Sequence, residues 1–224
     1  MICRVGRLAP LESSKKVKII GCGPGGAGYL TVQACRAVES AEVVAGTEKF
    51  LRLFPRAENR LHLQSTRAEE IAGLLAGLPA DKIAVLVSGD TGFYSLASTL
   101  RKALPAHWEL QFIPGISSVQ AACALFTLSW QDMRFYSLHS RPITPELIAA
   151  AGQGLEPLAL LCGPDHPPGD IARELLGSVE PERACHVACD IGSENQKIWN
   201  GNICELTKEN MSGHAVCIID RRQA

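Results

Sequence analysis

Aromatic residues make up only 5% of this 224-residue chain, and long hydrophobic runs are missing from it. The longest strongly apolar runs, Ile83 to Val87 and Leu158 to Cys162, fall far short of the roughly 18 residues that a membrane span needs. The first sixteen residues lack the apolar block and small-residue cleavage site of a secretory signal. We therefore predict no membrane partner and expect a cytoplasmic protein.

A surplus of charge of either sign is also missing. Twenty-two Lys and Arg residues face twenty-three Asp and Glu residues, for a formal net charge of −1. Because no overall basic field exists, we predict that the chain does not bind nucleic acid, and any anionic partner must be met by a local cluster. With 46% hydrophobic and 20% charged residues, the chain has a globular composition.

The nine cysteines are an odd number in a large chain, which argues against a disulfide framework. Most lie in apolar or Gly-rich stretches and are interpreted as buried thiols: Cys22, Cys35, Cys123, Cys162 and Cys217. The metal-like cluster Cys185, His186 and Cys189 lies in an apparent strand, where neighbours point to opposite faces. We predict no metal site.

From Val17 onward the chain alternates short β-branched runs with segments of helix length, which predicts βα units and an α/β fold. The first half has predicted strands at 17–20, 41–45, 83–87 and 109–113 and helices at 31–40, 67–78, 95–104 and 117–125. The second half has predicted strands at 135–138, 158–161, 185–189, 197–199 and 215–219 and helices at 145–151 and 171–176. Short connections between the last three strands favour antiparallel pairing. A domain boundary is expected near Ser129.

The Gly-rich loop that follows the first strand, Gly21-Cys22-Gly23-Pro24-Gly25-Gly26, satisfies the dinucleotide-binding fingerprint letter for letter. Two features oppose that interpretation. Pro24 has no N–H for a pyrophosphate, and helix-forming residues start only around Tyr29. The acidic residue expected after the second strand is also missing, with Glu48 a poor substitute. From the loop alone, nicotinamide binding and a Gly-rich turn that only reverses the chain direction are equally supported interpretations.

Two further polar loops follow predicted strands. Asp90, in Ser88-Gly89-Asp90-Thr91-Gly92-Phe93-Tyr94, is a candidate to face a ligand or, alternatively, to cap a helix that begins near Phe93. Ser117 and Ser118, after Pro114-Gly115-Ile116, could cap a helix or bind a polar ligand. Because the carboxyl ends of parallel strands meet at one sheet edge, the three loops together predict a ligand site.

The three loops, in this order and spacing, resemble the tetrapyrrole methylase family over Val17 to about Asp220. Within that family, the segments 88–95, 138–141 and 190–196 are most similar to members that methylate C5 of a corrin precursor in cobalamin biosynthesis. The resemblance implies two α/β domains, 17–128 with a mostly parallel sheet and 129–224 with a mixed sheet. It also implies S-adenosylmethionine in the cleft between them, S-adenosylhomocysteine as product, no metal, and a homodimer. Residues 1–16 have no family counterpart and are expected to be a flexible extension.

Carried over position by position, the resemblance also implies the cofactor-binding residues. Pro24 would border the cofactor, Gly89 and Asp90 would hold its amino-acid end or ribose, and Phe93 would pack on it. The remaining cofactor-binding candidates are Ser88, Ser117, Ser118, Cys162 and Gly192, the last two flanking the adenine and methionine portions.

Methyl transfer from a sulfonium to carbon is an in-line displacement, so alignment and water exclusion are the main tasks of the protein. If a proton is lost, His139 and Glu194 are the candidate acceptors, with a buried structural histidine as the other interpretation of His139. A polycarboxylate tetrapyrrole substrate needs cations. The candidates, each also explicable as a solvated surface charge, are Arg141, Lys49, Arg52 and Lys197.

Several alternatives remain open at this level. A member of the same family could act on another tetrapyrrole position, on ribosomal RNA or on diphthamide. From a different class, an NAD(P)-dependent oxidoreductase fits the Gly-rich fingerprint, and a non-catalytic binding module would leave the three loops without a role. Some relatives carry a second methyltransferase that methylates C15 and removes a carboxylate. Because this chain ends at Ala224, we expect that chemistry on a separate enzyme.

Overall fold

The computed structural model describes residues 14–223, which form two five-stranded sheets with helices packed against them. The first sheet is built from residues before Phe126 and the second from residues after Met133. No helix in this described part of the chain is long and apolar enough to cross a membrane.

The first sheet is parallel throughout, with strand order β3-β2-β4-β1-β5. Its strands are β1 (Lys16–Gly21), β2 (Val43–Gly46), β3 (Arg60–His62), β4 (Lys82–Val87) and β5 (Glu109–Ile113). Its helices are α1 (Val32–Glu39), α2 (Glu48–Leu51), α3 (Ala68–Ala76), α4 (Ala97–Ala103) and α5 (Ser118–Phe126), with a 3-10 turn at Ala27–Tyr29 before α1. The predicted parallel sheet is confirmed.

The second sheet is mixed, with strand order β6-β7-β10-β8-β9. Only β6 and β7 are parallel, while β10 runs antiparallel to β7 and β8, and β8 runs antiparallel to β9. The strands are β6 (Arg134–Ser137), β7 (Leu158–Cys162), β8 (Ala184–Cys189), β9 (Lys197–Asn202) and β10 (Ala215–Ile219). The helices are α6 (Pro145–Gln153), α7 (Pro168–Leu175) and α8 (Ile203–Leu206). The antiparallel pairing predicted for the last three strands is confirmed.

Three short elements, β3, α2 and α8, escape the sequence analysis. Each has only three or four residues, too few for a periodic pattern. The expected extension also needs a correction. Residues 1–13 lie outside the described residues, but Lys16 already pairs in β1, and Nζ of the buried Lys15 donates hydrogen bonds to the carbonyl oxygens of Leu78 and Ala80.

The central strands of the first sheet are buried on both faces, which explains their continuous apolar sequence. Val17 and Ile19 of β1 face the core under α3 and α4, whereas Ile20 faces the core under α1 and α2. These three residues are fully buried. A parallel sheet covered on both sides has few places open to ligands, and its loop edge is one of them.

Helix α5 joins the two halves of the molecule. It follows the last strand of the first sheet, yet its buried residues Val119 and Ala122 belong to one core with Leu161, Ala188 and Val216 of the second sheet. Burial of this shared apolar surface fixes how the first sheet's loop edge faces the second sheet.

The backbones of the three loops cross in direct contact where β1, β4 and β5 end. A Cβ atom on Gly115 would lie 2.3 Å from the carbonyl oxygen of Gly89 and 2.6 Å from that of Gly21. A Cβ atom on Gly21 would lie 2.6 Å from the same Gly89 oxygen. Gly23 and Gly89 also exchange two backbone hydrogen bonds, of 3.2 and 2.9 Å. Side chains are therefore excluded here for steric reasons.

Gly115→Ala should destabilise the protein by about 3 kcal/mol or more, because the new methyl group meets backbone that cannot rotate away. Gly73→Ala is the matched control, since Gly73 lies in helix α3 with nothing within 4 Å of its Cβ position. There alanine should stabilise by about 0.5–1 kcal/mol. Urea unfolding of both variants measures the difference, and equal stabilities would show that the loops do not cross as described.

Candidate functional site

A cleft of about 310 Å³ opens between the loop edge of the first sheet and the second sheet. Residues from all three polar loops line one wall, represented by Pro24, Asp90 and Ser118. The other wall is formed where β6, β7 and β8 end and β10 begins, and it includes His139 and His214. The predicted ligand site at the sheet edge thus corresponds to a cavity with a second wall from the other half.

The Gly-rich loop connects the two halves. A Cβ atom on Gly26 would lie 2.4 Å from the carbonyl oxygen of Gly192, so these two loops touch backbone to backbone. In a dinucleotide fingerprint the helix opens directly from the glycine turn. Here the 3-10 turn intervenes, and α1 begins only at Val32, where Thr31 caps it by accepting the N–H of Ala34 at 3.0 Å.

Asp90 ties the second loop to the third. Its Oδ1 accepts the N–H of Gly92 at 2.8 Å, and its Oδ2 accepts the N–H of Gly115 at 3.1 Å. The alternative interpretation of Asp90 as a helix cap is wrong, because α4 begins at Ala97. A carboxylate oxygen has two lone pairs, so Asp90 retains acceptor capacity toward the cleft that it lines.

The two serines of the third loop have different tasks. Ser117 is buried, and its hydroxyl accepts the N–H of Val119 at 3.2 Å in a capping box completed by Gln120 at the start of α5. Ser118 is half-buried and lines the cleft, and its hydroxyl forms no hydrogen bond with any residue in 14–223. Ser118 is therefore the hydroxyl available to a ligand.

Two imidazole rings stand together on the second wall. The rings of His139 and His214 have their centroids 5.4 Å apart at an interplanar angle of 66°. His139 Nε2 lies 2.8 Å from the carbonyl oxygen of Cys162. The pKa of His214 is lowered by burial first and then by His139 and Lys49, while Asp190 acts in the opposite direction. His214 is thus biased toward its neutral form.

Asp190 positions His214 through the backbone. Its N–H donates to the carbonyl oxygen of His214 at 2.8 Å, and its Oδ1 accepts the N–H of His214 at 3.3 Å. The backbone of Asp190 has a φ of +46°, in the left-handed region that non-glycine residues seldom adopt. This strained corner after β8 places both residues at the cleft.

An aromatic group closes one end of the cleft. Tyr94, with a φ of +46°, donates its hydroxyl to the carbonyl oxygen of Phe135 at 2.9 Å, from the first half to the second. Phe93 packs edge to face against Tyr94 and Phe135, with centroids 4.9 and 5.3 Å apart. The Arg141 guanidinium lies 5.8 Å from the Tyr94 ring centroid. A cation and an exposed ring therefore meet at this end of the cleft.

The structure brings most of the predicted site residues to the cleft: Pro24, Ser88, Gly89, Asp90, Phe93, Ser117, Ser118, Lys49 and His139. Arg141 stands at its aromatic end. Gly192 packs on Gly26 beside the lining residue Ile191. Cys162 is fully buried and its thiol donates to the carbonyl oxygen of Leu160, while its own carbonyl oxygen lies 2.8 Å from Nε2 of the cleft residue His139. Burial raises the pKa of the Cys162 thiol to about 12.

Three predicted residues lie away from the cleft. Arg52 forms a 2.9 Å ion pair with Glu48 on the exposed side of α2. Glu194 and Lys197 are exposed and are not among the residues that line the cavity. Glu194 and Lys197 lie in and just after the polar turn that leads into the edge strand β9. The sequence of that turn does not indicate which of its sides faces the first half of the molecule.

Sequence reasoning also misses several cleft residues, chiefly Thr47, Tyr94, Asp190 and His214. Tyr94 and Asp190 stand inside the segments that carry the family resemblance, so their position was visible but their role was not. His214 directly precedes β10, at the edge where β7 and β8 end. His214 reaches the edge where β7 and β8 end because β10, which follows it, runs antiparallel to both strands.

The cysteine and histidine side chains of β8 are divided between the two faces of the strand. Cys185 and Cys189 face the buried core, whereas His186 projects from the opposite face, with Nδ1 2.7 Å from Oδ1 of Asn200. In residues 14–223, no group of three or more His, Cys, Asp or Glu residues is arranged to hold a metal ion.

The model of the family of tetrapyrrole (corrin/porphyrin) methylases matches residues 16–207. The chain is 32% identical over 210 residues to the cobalt-precorrin-7 C(5)-methyltransferase of Salmonella typhimurium, covering 91% of this chain and 98% of that relative.

Two solved structures share the fold over most of the chain. One is a precorrin-6Y methylase of cobalamin biosynthesis from Archaeoglobus fulgidus, with a TM-score of 0.72 and 23% identity, covering 93% of this chain and 99% of that one. The other is the uroporphyrin-III C-methyltransferase of Thermus thermophilus in complex with S-adenosylhomocysteine, with a TM-score of 0.72 and 20% identity, covering 92% and 97%.

Asp90→Ala should lower stability by about 1–3 kcal/mol, because the N–H groups of Gly92 and Gly115 lose their acceptor. Asp90→Asn, which keeps one oxygen, should lose roughly half as much. Thermal unfolding of both variants at pH 7 tests this order. An alanine variant as stable as the wild type would mean that the carboxylate does not tie the two loops together.

Proposed function

The chain belongs to the tetrapyrrole (corrin/porphyrin) methylase family, and on that premise we propose that it methylates C5 of a corrin precursor of the cobalt-precorrin-7 type in cobalamin biosynthesis, with S-adenosylmethionine as methyl donor. The observation that carries the proposal is the similarity to a C5-methyltransferase along almost the whole length of both chains. The convergence of three polar loops on a cleft between two sheets supports it.

The residues of the cleft fit S-adenosylmethionine, which has an apolar ring system, a ribose and a charged amino-acid end. Apolar side chains of Phe93, Leu161 and Val216 supply one surface, while Asp90 and Ser118 offer a carboxylate and a free hydroxyl. When bound, the donor supplies an electrophilic methyl group. Asp90 would hold a polar part of it, with Pro24 and Phe93 as apolar borders.

The protein's own contribution to an in-line displacement is alignment and exclusion of water. The shared core around α5 fixes the position of one wall relative to the other. The hydrogen bond from the Tyr94 hydroxyl to the carbonyl oxygen of Phe135 also links the two walls at the cleft. Neither a metal ion nor a covalent nucleophile is required for transfer of a methyl group from sulfur to carbon.

A corrin precursor carries several carboxylates, and the cleft offers cations despite the balanced total charge. Lys49 lines the cavity, and Arg141 stands at its aromatic end. We assign these two residues, rather than Arg52 or Lys197, to substrate carboxylates. Lys49 Nζ also donates to the carbonyl oxygen of Pro24 at 3.1 Å, which holds its ammonium group at the Gly-rich loop.

The assembly and context of the enzyme are proposed from the family resemblance. We propose two domains, 17–128 and 129–224, with the donor between them, a homodimer in the cytoplasm, and a separate enzyme for methylation and decarboxylation at C15. The presence of one sheet in each of these ranges supports the proposed division.

The first experiment is calorimetric titration of the protein with S-adenosylhomocysteine, NAD and NADP. S-adenosylhomocysteine should bind, and the dinucleotides should give no heat, because the glycine turn is not followed directly by a helix. Ser118→Ala should weaken S-adenosylhomocysteine binding by roughly twofold to tenfold through loss of one hydrogen bond. Ser98→Ala, on the exposed side of α4, is the control. Binding of a dinucleotide alone would overturn the proposal in favour of an oxidoreductase.

Lys49→Gln should raise KM for cobalt-precorrin-7 by about tenfold to a hundredfold, because a charge-assisted contact to a carboxylate contributes about 1.5–3 kcal/mol. Arg52→Gln removes a charge from the same short helix but outside the cleft, and should leave KM unchanged. Steady-state kinetics measured by the mass of the methylated product distinguishes the two. Equal effects of both substitutions would show that Lys49 acts only through general charge.

A further inference from the structure

The His139–His214 pair is a group of titratable side chains in the cleft that ligand binding by the three loops does not account for. The two residues come from separate segments, His139 after β6 and His214 before β10. Both line the cavity, and their rings meet edge to face. Two imidazoles at a cavity wall are a proton-handling arrangement, so the state of each nitrogen matters.

The hydrogen bond to Cys162 fixes the tautomer of His139. A carbonyl oxygen only accepts hydrogen bonds, so Nε2 at 2.8 Å must carry a proton and donate it. In the neutral ring Nδ1 is then an unprotonated acceptor. A Cβ atom on Gly163 would lie 3.1 Å from Cδ2 of His139, so the Nε2–Cδ2 edge of the ring rests on the chain after β7. Nδ1 forms no hydrogen bond within residues 14–223.

Burial and nearby positive charges weaken His214 as a base. Lys49 faces the rings from the first wall and opposes protonation of His214, as does a charged His139. Asp190 favours protonation of His214, and Asp90 lines the same cavity from the second loop. Burial adds to this repulsion, so the pKa of His214 lies below its ordinary value. Every neutral imidazole has one unprotonated nitrogen, but the lowered pKa makes His214 a weaker base than an ordinary histidine, which favours His139 as the acceptor.

We propose that Nδ1 of His139 accepts the proton released from the carbon that is methylated, and that His214 is the positioning residue that holds the His139 ring. This inference rests on the proposed function. In the balanced step, the carbon–methyl bond forms as the donor's sulfur–methyl bond breaks. The carbon–hydrogen bond then breaks, its electron pair stays on the macrocycle, and the proton passes to Nδ1 of His139.

His139→Gln is the sharpest variant, because the glutamine amide can still donate to the Cys162 carbonyl but has no basic nitrogen. Loss of a general base should lower kcat for cobalt-precorrin-7 by about a hundredfold or more. KM and the affinity for S-adenosylhomocysteine should change by less than about threefold. His186→Gln is the matched control, since His186 bonds Asn200 outside the cleft. In His139→Ala, added imidazole should restore activity.

The pH profile tests the role of His214. A protonated imidazole accepts no further proton, so kcat of the wild type should fall toward acidic pH. His214→Lys places a fixed positive charge beside His139, disfavours the imidazolium, and should move that fall to lower pH. His214→Gln, which is neutral, should leave it in place. An unmoved profile in His214→Lys would show that His139 is not the proton acceptor, and a His214→Gln variant with the kcat of the wild type would show that His214 does not position the His139 ring.

The possible results separate the two claims. A wild type that forms no methylated product overturns the proposed function and this inference with it. His139→Gln with the kcat of the wild type overturns the inference alone. A variant whose only defect is a raised KM, or lost S-adenosylhomocysteine binding, would make His139 a binding residue and also overturn it.

NMR titration of the histidine ring protons provides a readout without substrate. The Nε2-protonated tautomer of His139 is expected, and burial should hold the pKa of His214 below that of an ordinary histidine. An Nδ1-protonated His139 would overturn the inference, because Nδ1 could then not accept a proton.

Discussion

The backbone contact of three glycines, Gly21, Gly89 and Gly115, is the constraint on which the rest of the site depends. It brings the ends of three parallel strands closer together than any side chain would allow. At that distance a single carboxylate, Asp90, can accept N–H groups from two of the loops. The first wall of the cleft is therefore rigid because its loops support one another, not because any one of them is regular in structure.

The second wall depends on a different principle, the reversal of strand direction. A parallel βα unit would place the residue before β10 at the far edge of the sheet. Because β10 runs antiparallel to β7 and β8, its first residues meet the ends of both strands. This places His214 beside His139 and pairs it with Asp190 through the backbone. Helix α5 then sets the distance between the walls through the shared core.

Positively charged side chains lie at the cleft although the chain has a net charge of −1. Lys49 lines the cavity and Arg141 lies against the ring of the lining residue Tyr94, whereas Arg52 is paired with Glu48 outside. The buried thiols take no part in this. Burial raises the pKa of Cys22 and Cys185 to about 12, so both stay protonated in the core at neutral pH.

The sequence alone determined the βα order, the antiparallel end of the second sheet and the three loops of the first wall, because periodicity and turn residues are local properties. It also identified the family, since the loop motifs are contiguous. It did not separate Lys49 from Arg52, or Ser118 from Ser117, because orientation on a short helix and use in a cap depend on neighbours far along the chain. The tertiary structure alone decided the His139–His214 pair, 75 positions apart in the chain, since only the direction of β10 and the packing of α5 bring those rings to one cavity.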